Sequence, residues 1–416
     1  MVNLRKPLQR LVHQAFESAL LQFPVVVVTG ARQTGKTTLV RGWCNADASR
    51  RYATLDDLQI LATAERAPAS LLVDTPMVFD EVQRAPDFLI AVKKAVDERR
   101  TPGRFVLTGS ANLLLLKQCS ESLAGRAAYL RLGPLTQGEL RGRPAAQHWT
   151  DLLTATDADD AQRRFSDAEP FDWRAAALRG GFPEAALLGD ATARARWFDA
   201  YIDTYLHRDM RDMARIADLP AFLRFVRLAA LRTGGLLNAT DLASDCGIPR
   251  TTVVRWLGLL EATFLATVLP PFYESKAKRL IKAPKLFSLD TGLALHLAGV
   301  HDAATLDRQP QRGAWLENLV LAELLAWKET TTPRPGVYFY RNADGGEIDF
   351  VVESGRRLLP IEIKAADAAR PDDGREIERF CTEYGERSPF GLVLHTGPSV
   401  ARLGPKSLAL PLAAVI

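Results

Sequence analysis

The stretch "FPVVVVTGARQTGKTTLVRGW", residues 23–43, constrains this chain more than any other. Four consecutive valines form an uninterrupted apolar run, the pattern of a strand buried on both faces of a parallel sheet. A glycine-containing loop follows and then a helical segment. The loop fits G-x-x-x-x-G-K-[ST] with Gly30, Gly35, Lys36 and Thr37. Successive backbone N–H groups at a helix N-terminus, where the dipole favours negative charge, cradle phosphate oxygens. The candidate phosphate-binding set is Gly30, Arg32, Gln33, Thr34, Gly35, Lys36, Thr37 and Thr38, with Lys36 reaching the β/γ-phosphates and Thr37 holding Mg2+.

The expected second half of that site is "PMVFDEVQRAPDF". A short apolar run ends in Asp80 and Glu81, where a strand's C-terminal end would present one carboxylate to the metal and the other to attacking water. The alternative is an acidic pair capping the following helix. A third run, "RFVLTGSAN", ends in Thr108, Ser110 and Asn112; Ser110 is the candidate γ-phosphate sensor. Arg126 precedes a further strand and is a candidate finger reaching a neighbouring copy's phosphates, or else a salt-bridged surface residue. "YATLDD" reads as another strand, with Asp56 and Asp57 as loop or cap residues.

The segment 151–173 is acid-rich with few large apolar residues and reads as a variable insertion or linker. Beyond it, "GGFPE" offers Gly181 and Pro183 either to an adenine ring or as plain helix punctuation. "ARARWFDAYIDTYLHRDMRDMARI" reads as a long amphipathic helix, with Arg208 and Arg211 on a solvated or nucleotide-sensing face.

In "NATDLASDCGIPRTTVVRWLGLLEA" the small, turn and core positions of a helix-turn-helix are filled by Ala243, Gly247, Ile248 and Val253. Arg250, Thr251, Thr252 and Arg255 would lie on the outer side of its second helix. The runs "TFLATVLPPF" and "KLFSLD" are candidate wing strands. Between them "SKAKRLIKAPK" sets Lys276, Lys278, Arg279, Lys282 and Lys285 against no acid, a local basic patch suited to DNA phosphates. The chain as a whole carries only +4 over 416 residues, so any basic footprint has to be local.

The last hundred residues open with "GAWLENLVLAELLAWKE", apolar around most of a helix, in which Glu317 shares a stripe with Val320, Leu321 and Leu324. A carboxylate there faces protein and requires a partner. "VYFYRNADGGEIDFVVESGRRLLPIEIK" then reads as three strands. A turn centred on Gly355-Arg356 sets Asp349 opposite Glu362; one centred on Ser354-Gly355 sets Glu347 there instead. Facing carboxylates repel, and a shared divalent cation is the usual compensation, with Lys364 placed to activate water. Glu317, Asp349, Glu362 and Lys364 are therefore the candidate nuclease-type set, with Asp349 and Glu362 as metal ligands.

Apolar residues at 47% and charged residues at 25% are those of an ordinary globular protein, and the length calls for several domains. Four scattered cysteines without C-x-x-C spacing fit a reducing cytoplasm. The N-terminus has no secretory h-region, and no apolar run is long enough for a membrane span.

The ordered series "GARQTGKTTL", "VFDEVQRAPDF", "RFVLTGSANLLLL", "ESLAGR", "GGFPE", "YLHRDMRD", "APKLFSLDTGLALHLAG", "WLENLVLAELL", "EIDFVV" and "IEIKAA" resembles the prokaryotic AAA+-type P-loop ATPases that carry a C-terminal domain of unknown function. The resemblance implies an α/β multidomain chain. A parallel-sheet ATPase core (1–145) would precede an insertion and helical lid (146–220), a winged helix-turn-helix (221–308) and a restriction-endonuclease-like domain (309–416). Taken together the residues predict a cytoplasmic ATPase that uses ATP and Mg2+ and acts on DNA as a homo-oligomer, with the C-terminal site cutting or gripping DNA. A nucleotide-gated switch binding a protein partner is the alternative.

Overall fold

The computed structural model describes residues 8–110, 123–142, 147–209, 216, 218–342 and 344–416. Asn112 and Arg211, and the side chain of Arg208, lie outside what is described. Two compact units emerge: residues 1–135 with 262–265, and residues 136–261 with 266–416.

The first unit is built on a five-stranded parallel sheet of β1 (Val25–Thr29), β2 (Arg51–Thr54), β3 (Met77–Asp80), β4 (Phe105–Gly109) and β5 (Ala127–Arg131), in the order β2-β3-β4-β1-β5. The valine run explains why β1 is central. Val25 and Val27 pack into one cluster with Phe79, Phe88 and Leu89. Val26 and Val28 point the other way, into a cluster with Phe16, Val40 and Leu130. Alternate side chains of one strand thus feed two cores, and helices cover both faces. Asp57 caps the helix Leu58–Arg66 by accepting from the N–H groups of Gln59 and Ile60, the cap role expected of it.

The second unit contains a six-stranded sheet ordered β12-β13-β11-β10-β9-β8. Its strands are β8 (Gly336–Arg341), β9 (Glu347–Ser354), β10 (Arg357–Lys364), β11 (Gly391–His395), β12 (Ala401–Arg402) and β13 (Ser407–Pro411). The helices Arg312–Lys328 and Arg375–Tyr384 both pack on β10. The N-terminal side of this unit holds the helices Leu219–Leu231, Ala239–Cys246 and Arg250–Ala262, and a two-stranded antiparallel ribbon of β6 (Ala266–Leu269) and β7 (Lys285–Ser288). Trp256 meets Phe222 edge-on and lies tilted against Phe225, with ring centroids 5.2 and 5.5 Å away, joining the first of these helices to the third. Gly247 ends the second of them in the left-handed conformation.

One expectation needs correction. The acid-rich segment 151–173 is no linker. It carries the helices Gln147–Thr154 and Ala158–Arg164, and Leu152, Ala158, Ala161, Phe171 and Trp173 are buried. Residues 221–261 and 266–416 fall within the same compact unit. Phe272, just beyond β6, belongs to the same apolar cluster as Ile348, Val351 and Val393 of the C-terminal sheet and Phe380 of the helix Arg375–Tyr384, so it shares their core. The predicted long helix holds as an α-helix over Ala191–Tyr201, then widens into a π-helix over Ile202–Asp209. Among the described residues no helix is long and apolar enough to cross a membrane.

Candidate functional site

The loop after β1 depends on its glycines. A Cβ on Gly30 would stand 2.1 Å from the Leu132 carbonyl oxygen, and Gly35 has φ of 94°. Arg10, which the sequence reading passed over, braces the loop by donating to the carbonyls of Thr34 and Gly133, both at 2.7 Å. Lys36 is buried, and its Nζ donates to the carbonyl oxygens of Gly30 (2.9 Å) and Ala31 (2.7 Å). Burial lowers its pKa to about 8, partly offset by the charges of Glu81 and Asp80. An ammonium held on neutral carbonyls calls for an anionic oxygen, and a phosphate fits that demand.

Asp80, at the end of β3, collects three hydroxyls. Thr37 donates to Oδ2 at 2.8 Å, Tyr52 donates to the same oxygen at 2.6 Å, and Thr108 donates to Oδ1. Glu81 takes the left-handed conformation, φ 60°, which for a non-glycine residue costs on the order of 1 kcal/mol. Its carboxylate accepts from Gln83, and Gln83 Nε2 also donates to Ser110 Oγ at 3.1 Å. The structure therefore joins Lys36, Thr37, Asp80, Glu81 and Ser110 in one site. It adds Tyr52 and Gln83, whose only sequence signal was their place on β2 and just past the acidic pair. Arg32, Gln33 and Thr38 lie on the exposed side of the loop. Arg126 makes a two-pronged ion pair with Asp97 of its own chain, at 2.6 and 2.9 Å. Pro183 belongs to the second unit, where it opens the short helix Pro183–Ala186.

The second unit contains a carboxylate centre. Pairing of β9 with β10 runs from Arg357↔Ser354 to Ile361↔Phe350, which sets Asp349 next in line against Glu362 and decides between the two registers considered. Asp349 accepts the Ile363 N–H at 2.8 Å. Lys364 Nζ donates to Glu362 Oε1 at 2.7 Å and stands 4.0 Å from Asp373. Burial, then Asp349, pushes the carboxyls of both Glu317 and Glu362 up to about 8. Burial likewise raises that of Asp349.

Two of the five cations in the basic stretch turn inward, against expectation. Lys285 is 4% exposed and lies inside this centre, 2.5 Å from Glu347 Oε1 and 3.5 Å from Glu317 Oε2. Arg279 is also buried. It pairs with Glu353 at 2.6 Å and lies over the rings of Phe272 and Tyr338, so its guanidinium does not present itself to DNA. Lys276, Lys278 and Lys282 are exposed. On the helix Arg250–Ala262, Arg250, Thr251 and Arg255 face outward, Thr252 is half-buried, and Val253, Trp256, Leu257 and Leu260 face inward.

The expected metal pair, Asp349 and Glu362, meets the same obstacle. Among the described residues no three His, Cys, Asp or Glu side chains are arranged to hold a metal ion. At this centre Lys285 already lies against Glu317 and Glu347, and Lys364 against Glu362. A catalytic divalent metal does not fit the centre as it is built.

A parallel sheet with a phosphate loop after its central strand and a hydroxyl-ringed aspartate beside it defines an AAA-type ATPase domain, able to bind and hydrolyse ATP. Residues 22–141 match the AAA domain family model. Residues 170–304 match the domain of unknown function DUF8612, and residues 312–415 match DUF4143. The protein Rv2008c of Mycobacterium tuberculosis and Mb2031c of Mycobacterium bovis are each 30% identical over 346 residues, covering 83% of this chain and 71% of theirs. The chain belongs to the family of these mycobacterial proteins. Among solved structures, the Walker-type ATPase PABY2304 of Pyrococcus abyssi aligns with 70% of this chain and 98% of its own, at 14% identity and a TM-score of 0.43. The Holliday junction branch migration motor RuvB of Thermotoga maritima aligns with 62% and 87%, at 18% identity and 0.28.

Proposed function

We propose that this protein is a Mg2+-dependent ATPase that acts on DNA, with hydrolysis in the first unit driving remodelling or translocation by the second. Thr37 and Asp80 supply the hard oxygen ligands that Mg2+ prefers, and the ion would offset charge on the transferred phosphoryl group. Glu81, held by Gln83 next to Ser110, orients the attacking water. In an oligomer, Arg126 would exchange Asp97 for a neighbour's phosphate.

The observation that carries the DNA reading is the outward face of the helix Arg250–Ala262. Arg250, Thr251 and Arg255 are exposed there while the opposite face is locked by Trp256. The helix Ala239–Cys246 before it and the β6–β7 ribbon after it support a winged-helix reading, in which such a helix would enter the major groove. Fluorescence anisotropy of the full chain on duplex DNA tests this. Arg250→Ala and Arg255→Ala should each weaken binding and each lower the salt slope by about 1. Unchanged affinity in both variants overturns the reading.

One observation favours a second reading, in which nucleotide state gates docking of a protein partner. Leu280 and Ile281 are 86% and 78% exposed beside Lys276, Lys278 and Lys282. Uncovered aliphatic side chains among cations suit an acidic protein surface with apolar pockets. Loss of DNA binding in neither arginine variant, together with partner capture lost in Leu280→Ser, would favour it.

A further inference from the structure

Lys285 and Arg279 are the two members of the basic stretch that turn inward, and Lys285 does so into the most acidic place in the second unit. Four carboxylates, Glu317, Glu347, Asp349 and Glu362, gather there with two ammonium groups, Lys285 and Lys364. Glu317 comes from the helix Arg312–Lys328, Glu347 and Asp349 from β9, and Glu362 from β10, so no single local element explains the cluster. Buried carboxylates at this density are tolerated only when paired. Each ammonium takes its own share: Lys364 holds Glu362, and Lys285 holds Glu347 and Glu317. Lys285 also lies over the Phe339 ring at 5.5 Å, a further contact that favours a cation.

We propose that Lys285 is the resident cation of this centre, seated between Glu347 and Glu317 where a divalent metal ion would otherwise be drawn, and that it excludes such an ion. The centre is accordingly an ion-pair site that carries its own cations, and metal enters only when the ribbon carrying Lys285 withdraws.

The ribbon is not free to move alone. Gly234 N–H donates to the Leu286 carbonyl at 2.7 Å, and Leu286 N–H donates to the Gly235 carbonyl at 2.9 Å. The Ser288 N–H is shared between Thr233 Oγ1 and Asn318 Oδ1, at 3.0 and 2.9 Å. Residues 233–237 lead directly into the helix Ala239–Cys246, and Asn318 adjoins Glu317 in sequence. Displacement of the helix-turn-helix therefore pulls on β7, and through it on Lys285. Two buried oxygens, Glu317 Oε2 and Glu362 Oε2, have no hydrogen bond among the described residues. They are the atoms that gain most from a second cation once Lys285 leaves. This inference does not depend on the DNA reading.

The test uses the full chain without nucleotide and Mn2+ as the probe, followed by calorimetry and by thermal unfolding. Lys285→Met keeps the length of the side chain and removes its charge. The expected result is a Mn2+ signal in Lys285→Met at least tenfold tighter than in the parent, together with a melting temperature that Mn2+ raises. Asp349→Asn in the same background should remove that signal, which assigns it to the centre, while Lys285→Arg should behave as the parent. If Lys285→Met alone does not fold, Lys285→Met with Glu347→Gln removes the ammonium together with its nearest carboxylate and carries the same comparison. Either of two results overturns the proposal: a parent protein that binds Mn2+ as tightly at the Asp349-dependent site, or a folded Lys285 variant that gains no Mn2+ affinity.

Discussion

Thr37 donates its hydroxyl to Asp80 across 2.8 Å, joining the first turn of the helix Lys36–Asn45 to the end of β3. These residues lie 43 positions apart in sequence, and the parallel sheet brings them together. The pair is where a hard cation and a nucleotide phosphate would meet. Asp80→Asn keeps the shape but removes the charge and turns one of the two accepting oxygens into an amide donor. We expect it to lower phosphate release by roughly 100-fold or more, as removal of one preorganised charge commonly does, with the circular dichroism spectrum unchanged. A variant that retains most of the rate would remove Asp80 from the metal site.

Lys36 gives a pH signature. Its pKa of about 8 in the free protein lies below the ordinary value, and a bound phosphate would raise it. Below about pH 8 the ammonium is already charged, so nucleotide affinity should be flat. Above that, binding has to take up a proton, and Kd should climb by up to ~tenfold per pH unit. Titration of a fluorescent ATP analogue across this range checks it, and a flat profile on the alkaline side would contradict it.

Arg126 separates an assembled site from a self-contained one. Its pair with Asp97 leaves the guanidinium one exchange away from a neighbour. If it acts across a subunit boundary, Arg126→Ala and Lys36→Ala are each inactive alone but regain part of the parental rate when mixed. A mixture as inactive as its components rules out the finger role.

Glu323 predicts an alkaline weakness in the second unit. It accepts the Gln137 N–H at 2.5 Å, and burial pushes its carboxyl from the ordinary 4.5 up to about 8. A folded-state value above the unfolded one means the fold favours the protonated acid. The penalty is absent below about pH 4.5, grows as pH rises towards 8, and is constant beyond. Glu323→Gln still accepts the N–H and carries no charge. Its melting temperature should exceed the parent's at alkaline pH, with the gap closing under acid conditions; a gap independent of pH would contradict the assignment.

What could be read directly from the chain follows from how local each feature is. The phosphate loop was legible because strand, glycines, lysine and helix are contiguous. The Asp349–Glu362 pairing was legible up to one register choice, because a single turn at Gly355-Arg356 governs it. Tyr52 was not, since a lone tyrosine on a strand gives no hint that its hydroxyl meets Asp80 28 residues away. Lys285 and Arg279 were misread for the same reason. Five cations without an acid nearby look solvated, but their carboxylate partners, Glu317, Glu347 and Glu353, arrive from other elements. Segment 151–173 was misjudged because composition counts apolar residues without showing which of them, such as Leu152, Phe171 and Trp173, find buried places.

The central claim, that ATP hydrolysis in the first unit serves action on DNA, is tested most directly by phosphate release from the full chain at low salt, with and without duplex DNA. The account predicts that DNA raises the rate in the parent, less so in the Arg250→Ala, Arg255→Ala double variant, and not at all in Lys36→Ala. A parental rate that DNA leaves unchanged would contradict it.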